Sequence, residues 1–160
     1  MKIRSANPAD AVQIADLNDV FVSVTSPMDA QRFLELFELC SYCLVVHDGE
    51  QLLGFVIAMR NAAPYDNGNY QWFEARVRNM VYVDRIVLAA DARGQGLGHQ
   101  LYEELSTMAL ADGCSVMTAE MDIEPPNTHS LHFHYKRGFV EHGQRVLEGG
   151  KRVSMQCRDL

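Results

Sequence analysis

The amino-acid sequence predicts an α/β domain built on a mixed sheet with helices on both faces. Strand and helix patterns alternate from Met80 onward, which is the signature of helices crossing over a sheet. Two apolar runs, residues 42–47 and 51–60, are joined through Asp48-Gly49, a hairpin signal. A glycine-rich turn, Arg93-Gly94-Gln95-Gly96-Leu97-Gly98, separates a long strand pattern from a helix pattern.

In chain order, residues 2–5 read as a short strand. Asn7-Pro8-Ala9-Asp10 then supplies an N-cap, a proline at the first helical position and an early acid. Ala11, Ile14, Leu17 and Phe21 follow at helical spacing. Ser26-Pro27-Met28-Asp29 repeats the start signal, and Phe33, Leu36, Phe37 and Cys40 form the apolar stripe of a second helix. Residues 61–69 read as a polar loop and residues 80–88 as a long strand. The helix after the glycine-rich turn runs to about Ala111 and is stopped by Asp112-Gly113. A strand over 116–123, a helix over 128–137 closed by Gly138, and a hairpin of 139–147 with 151–157 across Gly149-Gly150 complete the order β-α-α-β-β-β-α-β-α-β-β.

The 160 residues suit one domain, 1–160, with a single sizeable core. A hydrophobic fraction of 48% and a charged fraction of 22% are those of a soluble globular protein. No apolar run reaches the roughly 18–20 residues of a membrane span, and the start has no apolar signal segment, so a cytoplasmic location is expected. The net charge of −7 argues against nucleic acid as the main partner and suits a cationic acceptor such as an amine. Cys40-Ser41-Tyr42-Cys43 has CxxC spacing but no second such pair, so the four cysteines read as buried thiols.

Alternate glycines in the 93–98 turn let the backbone bend tightly and expose bare amides to a ligand. The helix that starts there adds unpaired N–H groups and the positive end of its dipole, together an anion site suited to a pyrophosphate. A dinucleotide fingerprint fails because His99 stands where its last glycine belongs. A P-loop fails because Gly98 is followed by His99-Gln100.

The segment Val83-Asp84-Arg85-Ile86-Val87-Leu88 with Arg93, Gly96 and Gly98 closely resembles the coenzyme motif of the GNAT superfamily of N-acetyltransferases. Asn127-Thr128-His129-Ser130-Leu131-His132-Phe133-His134-Tyr135-Lys136-Arg137-Gly138-Phe139 resembles that family's second signature, in the same order along the chain. Tyr65-Asp66-Asn67-Gly68-Asn69-Tyr70-Gln71-Trp72-Phe73 and Glu124-Pro125-Pro126-Asn127 look like a bacterial subgroup of predicted acetyltransferases with no assigned substrate.

The resemblance implies a GNAT-like fold in which strands 80–88 and 116–123 splay apart, with acetyl-coenzyme A as cosubstrate and no metal. It places the pantetheine arm along Ile86, Val87 and Leu88, and the pyrophosphate on the amides of Arg93, Gly94, Gln95, Gly96, Leu97 and Gly98. Asn127, Phe133 and His134 flank the coenzyme. Tyr65, Tyr70, Trp72 and Phe73, with residues 21–28, lie where family members shape the acceptor pocket; these aromatics could instead pack the loop down as a local cluster. Family members are often dimers, so a homodimer is an open expectation.

The implied chemistry is attack of a neutral amine on a thioester, which needs a base because an alkylammonium has a pKa of about 10. Asp84 is the favoured base, since a period of two along the strand puts it on one face with Ile86 and Leu88. It could instead pair with Arg85, and Glu120 and Asp122 are rivals on charge alone. His134 occupies the position of the family's usual acid tyrosine, with Tyr135 displaced by about 100° on the helix. His134 is therefore either an acid or a group that only positions the coenzyme. His129, His132, His134 and His142 do not share a face as metal ligands would. The leading expectation is direct acetyl transfer to a primary amine in a ternary complex. The alternative is an acyl-coenzyme A sensor with little turnover.

Overall fold

The computed structural model describes residues 1–160. Its strands are β1 (Lys2–Ser5), β2 (Tyr42–Asp48), β3 (Gln51–Arg60), β4 (Met80–Leu88), β5 (Val116–Glu124), β6 (Val140–Val146) and β7 (Arg152–Asp159). Its helices are α1 (Ala11–Asp19), α2 (Ala30–Leu39), α3 (Gly68–Glu74), α4 (Leu97–Ala111) and α5 (Thr128–Lys136). The strands form one mixed sheet in the order β1-β2-β3-β4-β5-β7-β6. Only β4 and β5 run parallel.

The helix starts follow local chemistry. Asn7 and Asp10 form a reciprocal capping box, with Ala9 N–H donating to Asn7 at 2.9 Å and Asn7 N–H donating to Asp10 at 2.8 Å. Arg4 grips the same Asp10 carboxylate at 2.7 Å. Asp29, Asn67 and Asn127 cap α2, α3 and α5 by accepting from Arg32, Tyr70 and Ser130 N–H groups. α4 differs, because its N-cap is Gly96 and no side chain caps its amides.

The sheet divides the apolar interior into two clusters of 20 and 19 buried residues, so neither face is a minor one. Ile14 of α1, Phe33 and Leu36 of α2, and Tyr70 and Phe73 of α3 pack on one face. Leu97, Leu101, Tyr102, Leu105 and Ala109 of α4 pack on the other, with Leu131 and Phe133 of α5 against them. The expected mixed sheet with helices on both faces is present.

Two features depart from the sequence reading. The polar loop over 61–69 ends early, because Gly68 opens the seven-residue α3. The helix is held from outside: Tyr70 and Phe73 insert into the core, where Tyr70 meets Tyr82 edge-on at 5.4 Å. The second departure is a bulge in β4. Opposite β3, Ile57 pairs with Arg85 while its neighbour Ala58 pairs with Val83, which leaves Asp84 as the extra residue. Alternation therefore slips. Met80, Tyr82 and Val87 face the α1–α2 side, whereas Val81, Val83, Ile86 and Leu88 face the α4 side.

Pairing between β4 and β5 is confined to Met80–Tyr82 against Val116–Thr118, after which the strands diverge. The gap is the site.

Candidate active site

A cleft of 690 Å³ passes through the opening between β4 and β5. Its walls come from β4, β5, the α1–α2 connection, the start of α3 and the buried face of α5. A second cavity of 250 Å³ lies over the start of α4 and is lined by Arg93, Gly94, Gly96, Leu97 and Gly98.

The glycines of this turn serve two ends. Gly94 and Gly96 have φ of 77° and 76°, a left-handed backbone that L side chains rarely adopt, and a Cβ on either would meet nothing within 4 Å. That free space lies against the uncapped amides of α4, which fits a pyrophosphate. Gly98 has a packing role, since a Cβ there would stand 2.7 Å from the Phe133 ring. Gln95 turns its side chain back onto the Asp91 carbonyl at 3.2 Å and lines neither cavity. Arg93 borders both, with its guanidinium 4.9 Å from the Phe21 ring centre. His99, His129, His132, Lys136 and Arg137 add a basic rim that the sequence reading did not assign to the coenzyme.

Ile86, Val87, Leu88, Asn127, Phe133 and His134 all line the large cleft. Tyr65 does so too, but Tyr70, Trp72 and Phe73 are not among its lining residues. Tyr70 and Phe73 are core side chains, and the Tyr70 hydroxyl donates to the Arg60 carbonyl at 2.7 Å. Trp72 packs edge-on against Phe73 and closes over Gly143 of β6, where a Cβ would lie 2.6 Å from the indole. These three build the support of the pocket, and Tyr65 builds its wall.

Asp84 sits in the cleft, although not on the face of Ile86 and Leu88, because the bulge interrupts the alternation. Its carboxylate accepts from Arg85 Nε at 2.8 Å and from the Tyr65 hydroxyl at 2.5 Å. Arg85 in turn donates to Asn18 and to the Ser26 carbonyl, tying down the α1–α2 connection. Asp84 is thus the anchor of a buried ion pair that fixes the α1–α2 connection.

Glu120, on β5 across the gap, is held by the hydroxyl of Tyr82. Burial raises its pKa to about 7; the Tyr82 hydrogen bond opposes the shift and the charge of Asp84 adds to it. A carboxylate that titrates near neutrality, in a cleft, is what a general base requires. Asp122 instead pairs with Lys151 at 3.0 Å.

On the opposite wall, His134 Nδ1 lies 2.7 Å from the Ser130 carbonyl, which can only accept. The ring proton is therefore on Nδ1, and Nε2 accepts from the Tyr102 hydroxyl at 2.7 Å. Burial lowers the His134 pKa to about 4, the Ser130 hydrogen bond opposing. A neutral imidazole with its Nε2 lone pair occupied has no proton to deliver, so the geometry supports a positioning role for His134. Tyr102, from α4, is the partner that the sequence reading missed.

These shifts have a stability signature. Between about 4.5 and 7 the native state holds a proton on Glu120 that the unfolded chain has lost, so this group's contribution falls as pH rises. Between about 4 and 6.5 the unfolded chain holds a proton that native His134 lacks, so the histidine contribution rises with pH. The two oppose each other over their common window. In thermal unfolding scans, Glu120→Gln should expose the histidine term as a steeper rise of Tm with pH up to about 6.5. An unaltered slope would contradict the raised Glu120 pKa.

The sequence profile of the Acetyltransferase (GNAT) family matches residues 12–139. The chain belongs to this family. As a GNAT protein it is an N-acetyltransferase that takes its acetyl group from acetyl-coenzyme A. The L-amino acid N-acyltransferase MnaT of Escherichia coli strain K12 is 30% identical over 160 residues, covering 94% of this chain and 86% of that protein. The L-methionine sulfoximine/L-methionine sulfone acetyltransferase of Pseudomonas aeruginosa is 38% identical over 82 residues, 51% of this chain and 44% of that one. Among solved structures, Ard1 from Thermoplasma volcanium superposes with a TM-score of 0.80 at 15% identity, over 99% of this chain and 97% of its own. The structure of yncA from Salmonella typhimurium with its cofactor acetyl-CoA gives a TM-score of 0.76 at 21% identity, over 100% and 94%. The two structures establish the GNAT fold, and the splay between β4 and β5 belongs to it. No helix of this GNAT chain is long and apolar enough to cross a membrane.

Proposed function

We propose that this acetyltransferase acylates the amino group of a free amino acid or a close analogue, by direct attack in a ternary complex with Glu120 as general base. The observation that carries the base assignment is the Glu120 carboxylate, half-buried in the cleft and poised at about 7. The acceptor class is supported by the names of the two sequence relatives, both of which act on L-amino acids or their analogues. The cleft also carries both signs of charge: Glu120, Asp84 and Asp122 stand beside Arg32, Arg85 and Lys151, a setting that suits a zwitterion.

Acetyl-coenzyme A supplies the acetyl group as a thioester. Residues 94–98 would hold its pyrophosphate, and β4 would present backbone groups of Ile86 to Leu88 to its arm. Glu120 takes one proton from the acceptor ammonium, and the freed amine attacks the thioester carbonyl. As the carbon–sulfur bond breaks with its electron pair on sulfur, the second nitrogen proton passes to the departing thiolate. His134 and Tyr102 hold each other on the coenzyme side of the gap. A covalent thiol route has little support: no cysteine lines the cleft, and burial raises Cys40 and Cys157 to about 11.

The test is free-thiol release from acetyl-coenzyme A with the purified protein and three acceptor sets: L-amino acids, polyamines and peptide N-termini. Release with the amino acids, and intersecting lines when both substrates are varied, are expected. Turnover confined to polyamines or peptides would overturn the acceptor class. Parallel lines would overturn the ternary complex.

A further inference from the structure

We propose that Arg145 and Asn69 are positioning residues for the catalytic carboxylate: the Arg145 guanidinium fixes the Asn69 carboxamide so that its N–H group is directed at Glu120. The proposal rests on the reading of Glu120 as the base, and it gives a role to the segment around Asn67-Gly68-Asn69, which the motifs of the family leave unexplained.

Arg145 lies on β6, the edge strand, and donates to Asn69 Oδ1 on the first turn of α3. Arginine can only donate, so the oxygen of the carboxamide must face Arg145 and the NH2 must face away from it. Asn69 lines the cleft together with Tyr82 and Glu120, and its carboxamide acts to lower the proton affinity of the Glu120 carboxylate. The carboxylate is thus bonded by Tyr82 of β4 and shares the cleft with the Asn69 carboxamide of α3.

The approach of Arg145 has been made possible by a missing side chain. A Cβ on Gly68 would stand 2.7 Å from Arg145 Nη2 and 3.1 Å from Nη1. Gly143 makes the reciprocal allowance on β6, where Trp72 of α3 occupies the space of a Cβ. Two glycines, one on each element, therefore let α3 and β6 interlock, and the interlock places Asn69 at the gap. Arg76 stacks on the outer side of the same Trp72, 4.2 Å from the ring centre.

The charged and titratable groups around Glu120 can be separated by what each does. Asp84 raises its proton affinity through charge, and Tyr82 lowers it by donating a hydrogen bond. Tyr102 approaches from α4 and feels the Glu120 charge. Glu120 stands opposite Met155 on β7, an apolar neighbour. Lys151 is engaged with Asp122. Asn69 is the neutral donor whose direction is set by a distant cation, and loss of either member should favour the protonated acid.

The experiment is the pH profile of kcat/KM for one amino-acid acceptor in wild type, Asn69→Leu, Arg145→Met, the double variant and Gly68→Ala. Asn69→Leu should move the acid limb upward by about half a unit to one unit. Arg145→Met should move it in the same direction, and the double variant no further than Asn69→Leu, because the cation acts through the amide. Gly68→Ala displaces only the flexible end of Arg145, so it should reproduce the Arg145→Met profile in a folded protein. An acid limb that stays in place in Asn69→Leu and Gly68→Ala, or additive shifts in the double variant, would overturn the proposal. Glu120→Gln separates this from failure of the base assignment: if that variant keeps both its rate and its acid limb, the base is elsewhere. If it loses activity while the Asn69 and Arg145 variants keep the wild-type limb, only the positioning role falls.

Discussion

Glu120→Gln should lower kcat by about 100-fold to 10,000-fold at neutral pH while leaving coenzyme affinity unchanged, the loss expected when a general base is removed. Glutamine keeps the shape of the side chain, and its carbonyl oxygen can still accept from Tyr82, so the gap should not rearrange. What disappears is the site that takes the ammonium proton. The informative comparison is with Asp84→Asn. Asp84 and Arg85 side chains are 4% and 7% exposed, so removing the carboxylate leaves a buried guanidinium without its counter-ion. Breaking a buried pair in this way costs about 3–5 kcal/mol. Asp84→Asn should therefore lower Tm and loosen the α1–α2 connection that Arg85 holds through Asn18 and Ser26. Glu120→Gln should not lower Tm at pH 8, because it replaces a carboxylate that burial disfavours in its charged form. Activity lost without stability marks the base, and stability lost marks the anchor. The reverse pattern, with a stable but inactive Asp84→Asn and an active Glu120→Gln, would return the base to Asp84.

That the choice between these carboxylates was not visible in the sequence has a specific cause. A period of two is a safe guide along a strand only while the ladder is regular. The bulge at Asp84 adds one residue and leaves no mark in composition, so Asp84 moved off the face shared by Ile86 and Leu88. Glu120 owes its raised pKa to burial between two splayed strands and to the charge of Asp84, set against the hydrogen bond from Tyr82, which is 38 residues away. None of these is a property of the residues beside it. The same holds for His134, whose proton is assigned by Ser130 on its own helix and Tyr102 on another.

Backbone-determined features were legible because few residues can satisfy them. Positive φ at Gly94 and Gly96, and the close approach of Gly98 to Phe133, each demand the absence of a side chain. Asn7 and Asn127 announced two helices and the start signal of residues 26–29 a third, although its cap is Asp29, the residue read as the early acid, and not Ser26. The fourth cap, Asn67, reads in the sequence as part of a loop, since Asn67-Gly68 is also a turn signal and the helix after it has only seven residues. A helix so short gains little from local propensity. α3 exists because Tyr70 and Phe73 enter the core and Trp72 seats on Gly143, contacts made by strands far along the chain.

Gly96→Glu should weaken coenzyme A binding by about 100-fold or more while the protein stays folded, the loss expected when at least two charge-assisted hydrogen bonds of about 1.5 kcal/mol or more are removed. The substitution has two separable effects. A side chain at φ of 76° introduces backbone strain of about 1–2 kcal/mol. The carboxylate, placed at the uncapped start of α4, is itself an anion that the helix dipole favours, which offsets part of that strain. It then occupies the amides that the turn holds ready for a pyrophosphate and repels the ligand's charge. Gly96→Ala carries the strain without the anion, so it should bind coenzyme A far better than Gly96→Glu. Gly98→Ala tests the other use of glycine in this turn. Its methyl group would press on Phe133, and through α5 on His134, so it should alter both coenzyme affinity and turnover. Calorimetric titration with coenzyme A, alongside circular dichroism, distinguishes the three. Wild-type affinity in Gly96→Glu would show that the turn packs a helix onto a strand and does not cradle the donor. Equal losses in Gly96→Ala and Gly96→Glu would assign the effect to backbone strain and remove the electrostatic part of the argument.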